Sequence, residues 1–335
     1  MDALNKIIDN INRGQIAPFY LLSGTEPYFI DDISNQIVKK LVSNSSKDFD
    51  FSVLYGKDSS INEIIETAKR YPMISNYHVV LIREAQYLDK KYDELSKYIL
   101  NPQKESVIIF CYKNKRFDKR SKLYKAAISS GVVFESKPLY ENQISNWINI
   151  QLKNEGLEAN PKSIQLLIEF LGLDLGKIKQ EITKLKILCS KELITPELIE
   201  KHVGISKDFN NFELISAIGS KNKNKSIQII YYLSNNSKNN PIVLTISSLF
   251  QFFKKLLLFH GVIESNGKHN ISSILGVNPY FVKDYEIASK YYNMKDCSRA
   301  IDLIHKADLK SKGIGGGNEG HKNILIDLVN DLFNS

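Results

Sequence analysis

Cysteine is scarce, and the three present, Cys111, Cys189 and Cys297, stand alone at neither metal-ligand nor redox spacing. They read as reduced thiols acting as small apolar residues. The six histidines, His78, His202, His260, His269, His305 and His321, show no HExxH or other ligand spacing, and no GxSxG elbow accompanies them. Metal and covalent catalysis have no support, and no cofactor or metal is expected. A continuous apolar leader is also missing. Leu4, Ile7, Ile8 and Ile11 recur at helical spacing with polar residues between them, which predicts an amphipathic helix and not a signal peptide. The most apolar later stretch, Ile242 to Ile263, is interrupted by Gln251, Lys254 and Lys255, against a membrane span. A cytoplasmic protein without a membrane partner is the expectation.

The 335 residues suit two or three domains, and a hydrophobic share of 43% with 24% charged residues fits a globular chain. The formal charge of +8 permits a polyanionic partner without requiring one. Much of the excess is Lys scattered among Asn and Ser, the pattern of a solvated basic surface.

Short apolar runs alternate with helical periodicity in the first part. Strands are predicted at Pro18–Leu22, Phe49–Tyr55, Val79–Ile82, Val107–Tyr112 and Val132–Phe134. Helices are predicted at Asp31–Leu41, Ser60–Lys69, Glu94–Leu100 and Lys119–Ser129. That alternation implies a mostly parallel sheet covered on both faces, an α/β domain over residues 1–138. Strand signals then all but vanish. Helical patterns at Ile144–Leu152, Lys162–Leu171, Gly176–Cys189 and Pro196–His202 form a small helical domain over 139–208. Longer patterns at Phe212–Gly219, Lys225–Leu233, Ile242–Ile263, Asn278–Tyr291, Asp296–Ser311 and Lys322–Phe333 form a larger one over 209–335. The fold class is therefore α/β followed by all-α.

The chain also lacks the residues of a working nucleotide site. Val79 to Ile82 make a buried strand ending in Arg83 and Glu84, where a P-loop ATPase carries an Asp that helps to hold magnesium. A cation at Arg83 would repel the metal. Tyr20 to Tyr28 supplies a strand, a glycine turn at Gly24 and a helix, but Phe29, Ile30 and Asp31 stand where a P-loop needs Gly, Lys and Ser or Thr. Glu26 places a negative charge where phosphates would lie, against the field of a helix N-terminus. Gly24, Arg83 and Glu84 thus mark a degenerate nucleotide site that is not expected to bind. A second cluster, Gly315, Gly317 and Gly320, matches GxGxxG but follows a helix and reads as an interhelical loop.

Two surface features remain. Lys113, Lys115, Arg116, Lys119 and Arg120 form a basic stretch around Phe117, suited to touching DNA or another subunit, or simply to a solvated helix entry. Between a helix and a strand, Tyr71, Pro72, Met73 and Ile74 cluster in a turn. They either cap the core or, if exposed, make a protein-docking wedge. Burying one such side chain is worth roughly 1.5–3 kcal/mol, enough for a hot spot. The turn and Arg83 fall in one helix–turn–strand unit, so they are expected to be neighbours.

Together these phrases resemble the delta subunit of the bacterial DNA polymerase III clamp loader. The resemblance runs through Tyr20–Ile30, Arg70–Ile74 with Val79–Ile82, Phe117–Lys125, and Trp147 with Ile148. It continues through Gly172–Leu175 with Glu181–Leu185, and Ala307–Lys310. It implies an AAA+-like domain with a degenerate nucleotide site, then a helical lid, then a helical collar for oligomerisation. It further implies a non-catalytic subunit of a DNA-directed DNA polymerase complex that opens the ring-shaped sliding clamp, the beta ring, for loading onto primed DNA. The clamp contact falls on Met73 and Ile74, with Tyr71 and Pro72 shaping the turn. The family usually carries an aromatic or Leu-Phe type pair there, so Met-Ile matches in character. Implied partners are the clamp, loader subunits of the delta prime and gamma/tau types, and primer–template DNA through the assembled complex. The alternatives are a catalytically active AAA+ ATPase or nucleotide switch acting on DNA, and a stand-alone DNA-binding helical protein.

Overall fold

The first strand of the chain, β1 (Phe19–Gly24), is buried along its whole length, and so are nearly all residues of β3 (His78–Arg83) and β4 (Ser106–Lys113). Runs such as Val79–Ile82 and Val107–Tyr112, apolar on both faces, are what a parallel sheet covered on both sides requires. A computed structural model describes residues 2–89, 91–188, 193–203, 206, 208–237, 240–264, 271–314 and 320–334. The chain divides into two compact units, Met1–Pro138 and Leu139–Ser335.

In the first unit a five-stranded sheet has the order β2 (Phe51–Tyr55), β3, β4, β1, β5 (Val132–Ser136), with every pairing parallel. Six helices accompany it: α1 (Asp2–Asn12), α2 (Pro27–Leu41), α3 (Lys47–Asp50), α4 (Ile61–Ala68), α5 (Asp93–Leu100) and α6 (Lys122–Ser130). Ser60 and Glu63 close a reciprocal capping box at the start of α4, and Ser121 caps α6. Phe19, Ile64, Leu95, Phe110 and Leu123 are among the residues of one packed cluster. β2 is an edge strand and is only partly buried.

Among its described residues the second unit is helical apart from a two-residue parallel pairing of β6 (Glu158–Ala159) with β7 (Leu193–Ile194). Its helices are α7 (Glu141–Asn154), α8 (Pro161–Leu171), α9 (Leu175–Leu188), α10 (Pro196–Val203), α11 (Asn211–Gly219) and α12 (Lys223–Asn235). They continue with α13 (Ile242–Glu264), α14 (Ile271–Leu275), α15 (Val282–Ser289), α16 (Met294–Ser311) and α17 (His321–Phe333). By length and composition alone α13 is apolar enough to cross a membrane. Its Ile246, Leu249, Phe253 and Leu256 are instead buried in a cluster with Ala300 and Ile304 of α16 and Leu328 of α17, while Lys254 is exposed. Cys111 and Cys297 are buried, and burial pushes each thiol up to about 12, so neither is a ready nucleophile. Cys189, His269 and Gly315–Gly317 lie outside the described residues.

Candidate functional site

The segment from Arg70 to Asn76 leaves α4 and enters β3 at the amino edge of the sheet. Its apolar side chains face solvent: Tyr71 is 72% exposed, Met73 76% and Ile74 54%, while Pro72 is half-buried. The backbone of the same turn faces inward. Asp50, fully buried at the end of α3, takes the Met73 N–H on Oδ1 at 2.5 Å. Its Oδ2 takes the N–H groups of Ile74 at 2.9 Å and Ser75 at 2.5 Å. The Ser75 hydroxyl lies 2.9 Å from that oxygen and 2.8 Å from the Tyr77 carbonyl, so its single proton serves one acceptor at a time. Burial alone would raise the Asp50 carboxyl, but the three backbone N–H groups and the hydroxyl outweigh it and hold the group down at about 2. A charge so placed is tolerable because its hydrogen bonds replace the lost water.

Asp50 was not apparent as a site residue from sequence. The strand predicted from Phe49 begins at Phe51, because Lys47–Asp50 coil into the single turn α3. The available signal was an acid between Phe49 and Phe51, interrupting an apolar run. Nearby, His78 is buried with Nε2 3.1 Å from Ser52 Oγ. Burial, and then the Arg70 guanidinium, hold its imidazole below the usual value, with Asp50 opposing them.

The degenerate nucleotide residues gather at the other edge, where β1, β3 and β4 end. Gly24 registers with Lys113, and Arg83 closes β3. Gly24 has φ +137°, and a Cβ there would lie 2.1 Å from the Ser136 carbonyl oxygen. The amides that would face a phosphate have partners within the chain. Thr25 donates to the Ser136 carbonyl at 3.3 Å, Glu26 to the Ser136 hydroxyl at 3.3 Å, and Tyr28 at the start of α2 to the Glu26 carboxylate at 3.1 Å. Glu26 thus caps the helix end with its own charge.

Lys113 lies in this edge, its side chain only 14% exposed, 2.7 Å from Asp31 and 3.4 Å from Glu84. Burial opposes its charge, but the Asp31 and Glu84 carboxylates more than compensate and hold the ammonium above its usual value. Glu84 adopts a left-handed backbone (φ +54°), and the Gln86 amide donates to its carboxylate. Arg83 is exposed.

The basic stretch is therefore not one continuous stripe. Lys113 turns into the ion-paired edge and Phe117 is buried among Tyr92, Phe110 and Tyr112. Lys115, Arg116, Lys119 and Arg120 are exposed. Arg116 and Lys119 flank Glu135 at 3.5 and 2.7 Å, holding its carboxyl below the usual range, and Arg120 pairs with Asp118 at 3.2 Å. The expectation that the turn and Arg83 are neighbours needs correction. They are separated by β3, which alone spans about 16 Å at the rise of a parallel strand.

Among the described residues no group of three His, Cys, Asp or Glu is placed to hold a metal. The site's assets are an exposed apolar turn on a fixed backbone and, at the other end of the strands, an edge filled by the chain's own side chains.

Residues 20–137 match the family model "DNA polymerase III, delta subunit", and residues 208–328 match "DNA polymerase III delta subunit, C-terminal domain". The chain is 25% identical to DNA polymerase III subunit delta of Bacillus subtilis (strain 168) over 330 residues, covering 95% of this chain and 93% of the relative. It is 21% identical to the probable DNA polymerase III subunit delta of Aquifex aeolicus (strain VF5), over 63% of this chain and 62% of that one. In fold it is similar to the solved Bacillus subtilis DNA clamp loader delta protein, with TM-score 0.52 and 22% identity over 99% of this chain and 100% of that one.

Proposed function

The chain belongs to the DNA polymerase III delta-subunit family, and from that premise we propose that it binds the sliding clamp through the 70–76 turn and opens the ring without hydrolysing ATP. The observation that carries the reading is the turn itself. Met73 and Ile74 project into solvent from a backbone fixed by three successive amides donating to one buried carboxylate. Two apolar side chains presented on an ordered turn suit insertion into a pocket, and flexible Met adapts to pocket shape. Tyr71 and Pro72 shape the turn.

The carboxyl edge of the sheet supports the second half of the reading. The amides of Thr25, Glu26 and Tyr28 are engaged by Ser136 and Glu26, and Lys113 is engaged by Asp31 and Glu84, so a triphosphate would have to displace a complete internal network. ATP binding in the loader is assigned to partner subunits, and the implied partners are of the gamma/tau and delta prime types. Residues 139–208 are read as the lid and 209–335 as the collar that joins those subunits, in the cytoplasm. Lys115, Arg116, Lys119 and Arg120 are exposed, and are read as meeting DNA or a neighbouring subunit once the complex is built, Arg116, Lys119 and Arg120 exchanging their Glu135 and Asp118 partners to do so.

Equilibrium binding of the chain to its cognate clamp, with Met73→Ala and Ile74→Ala introduced together, tests the wedge. Each side chain contributes roughly 1.5–3 kcal/mol if buried, so affinity should fall by at least about a hundredfold. Unchanged affinity would remove the assignment. Titration with labelled ATP tests the other half: saturable tight binding by the isolated chain would favour an active ATPase.

A further inference from the structure

We propose that Asp50 is the positioning residue of the clamp contact: its buried carboxylate folds the 72–76 turn into the shape that presents Met73 and Ile74. The inference rests on the reading of that turn as the clamp contact, and it adds a residue that never touches the clamp. Three consecutive amides, those of Met73, Ile74 and Ser75, converge on the two oxygens of one side chain 23 to 25 residues earlier in the chain. Successive N–H groups pointing the same way form an anion-binding concavity, and here the anion is supplied by the protein. Because the amides point inward, the side chains of Met73 and Ile74 are directed outward, which their exposure records.

The turn otherwise has little to hold it. It spans 72–76 between α4 and β3, its residues are exposed or half-buried, and it belongs to neither element. The Ser75 hydroxyl adds a contact to Asp50 or to the Tyr77 carbonyl, but that contact is secondary to the three amides. Removing the carboxylate would leave three inward N–H groups without their acceptor. The turn would then re-form with its amides in water, and the two apolar side chains would lose their fixed direction. An unordered wedge must be ordered on binding, which weakens affinity without removing any contact atom.

Asp50→Asn keeps the shape and one acceptor oxygen but aims an NH2 group at an amide donor. It should raise hydrogen exchange at Met73, Ile74 and Ser75 by at least about tenfold while leaving the amides of β1 and β4 within about twofold. Clamp affinity should fall by about tenfold or more. Ser75→Ala, which keeps all three amides, should lower affinity by no more than about threefold. In a double-mutant cycle with Met73→Ala, the two losses should be strongly non-additive, because Asp50 acts through Met73 and its neighbour. Unchanged exchange at 73–75 would overturn the proposal. So would an Asp50→Asn loss that is the same with and without Met73→Ala. If the Met73→Ala, Ile74→Ala pair leaves clamp binding intact, the reading of the turn fails, and exchange at 73–75 still decides whether Asp50 orders it.

Discussion

Asp50 and His78 sit at the amino edge of the sheet and respond to acid in the same sense. Asp50 is held down at about 2, below an ordinary aspartate, so its contribution is present above about 3.8 and lost as pH falls through about 2. His78 is held below its ordinary 6.5, chiefly by burial and then by Arg70, so folding favours the neutral ring. Its contribution is complete above 6.5 and is lost as pH falls from 6.5 towards the folded value. Protection factors for the β3 amides, corrected for intrinsic exchange, should therefore drop between pH 7.5 and 5.5, and His78→Gln should flatten the drop. A drop of equal size in the variant would assign it to another group. Gly24 offers a second test. Its φ of +137° and the 2.1 Å approach of the Ser136 carbonyl leave no room for a methyl group. Gly24→Ala should destabilise the first unit by about 2–4 kcal/mol, from backbone strain plus displacement of Ser136, measured as a lowered urea midpoint for exchange in β1 and β5. A shift under about 0.5 kcal/mol would mean that the β1–β5 edge yields easily.

Among the helices, the tie between α8 and α11 has the opposite pH dependence. Glu169 accepts from the Asn211 and Phe212 amides at 2.5 and 3.2 Å, at the start of α11, yet burial outweighs these bonds and pushes its carboxyl up to about 7. A folded-state value above the unfolded 4.5 means that the stabilising contribution is complete below 4.5 and lost as pH rises through about 7. Trp147, the single tryptophan, is buried in α7 and reports unfolding of the second unit. Its urea midpoint should be lower at pH 8 than at pH 5.5, and Glu169→Gln should remove most of that difference. Persistence of the full difference would point elsewhere, for example to Asp284, which burial also raises. These joints mark where sequence reading stops. Strands such as Val79–Ile82 and helices such as Pro196–Val203 were legible because apolar periodicity is a local signal. The turn α3, the five-residue α14 and the β6–β7 pairing were not, because short elements are decided by contacts far away in the chain. Met73 and Ile74 could be picked out as an apolar turn, whereas their exposure, and the carboxylate beneath them, depend on how α3 approaches β3. Lys113 read as surface charge because nothing local shows that Asp31, 82 residues earlier, will face it.

For the whole molecule, the separation of the two edges of the sheet constrains how a loader could use this chain. The turn and the edge carrying Arg83 lie at opposite ends of β3, so a partner's nucleotide acting at that edge would be separated from Met73 by the length of the strand. Control would have to come from covering or uncovering the turn as partners rearrange, leaving the wedge itself always formed. The free chain should then bind the clamp without nucleotide, and the strength of binding should depend on the clamp. A ligand shifts an equilibrium only by its differential affinity for the two states, and its apparent affinity is reduced by the fraction of the target that is competent. If the wedge fits an opened interface better than a closed one, a clamp weakened at its own subunit contact should bind this chain more tightly than the parent ring. The gain approaches the factor by which opening is disfavoured, up to about a hundredfold if one ring in a hundred is open. The Met73→Ala, Ile74→Ala pair should lower affinity for both rings and shrink the gap between them. Titration of the two clamps against the same chain makes the measurement. Equal affinities would mean that the turn tethers the ring without prying it apart, and that opening belongs to the assembled loader.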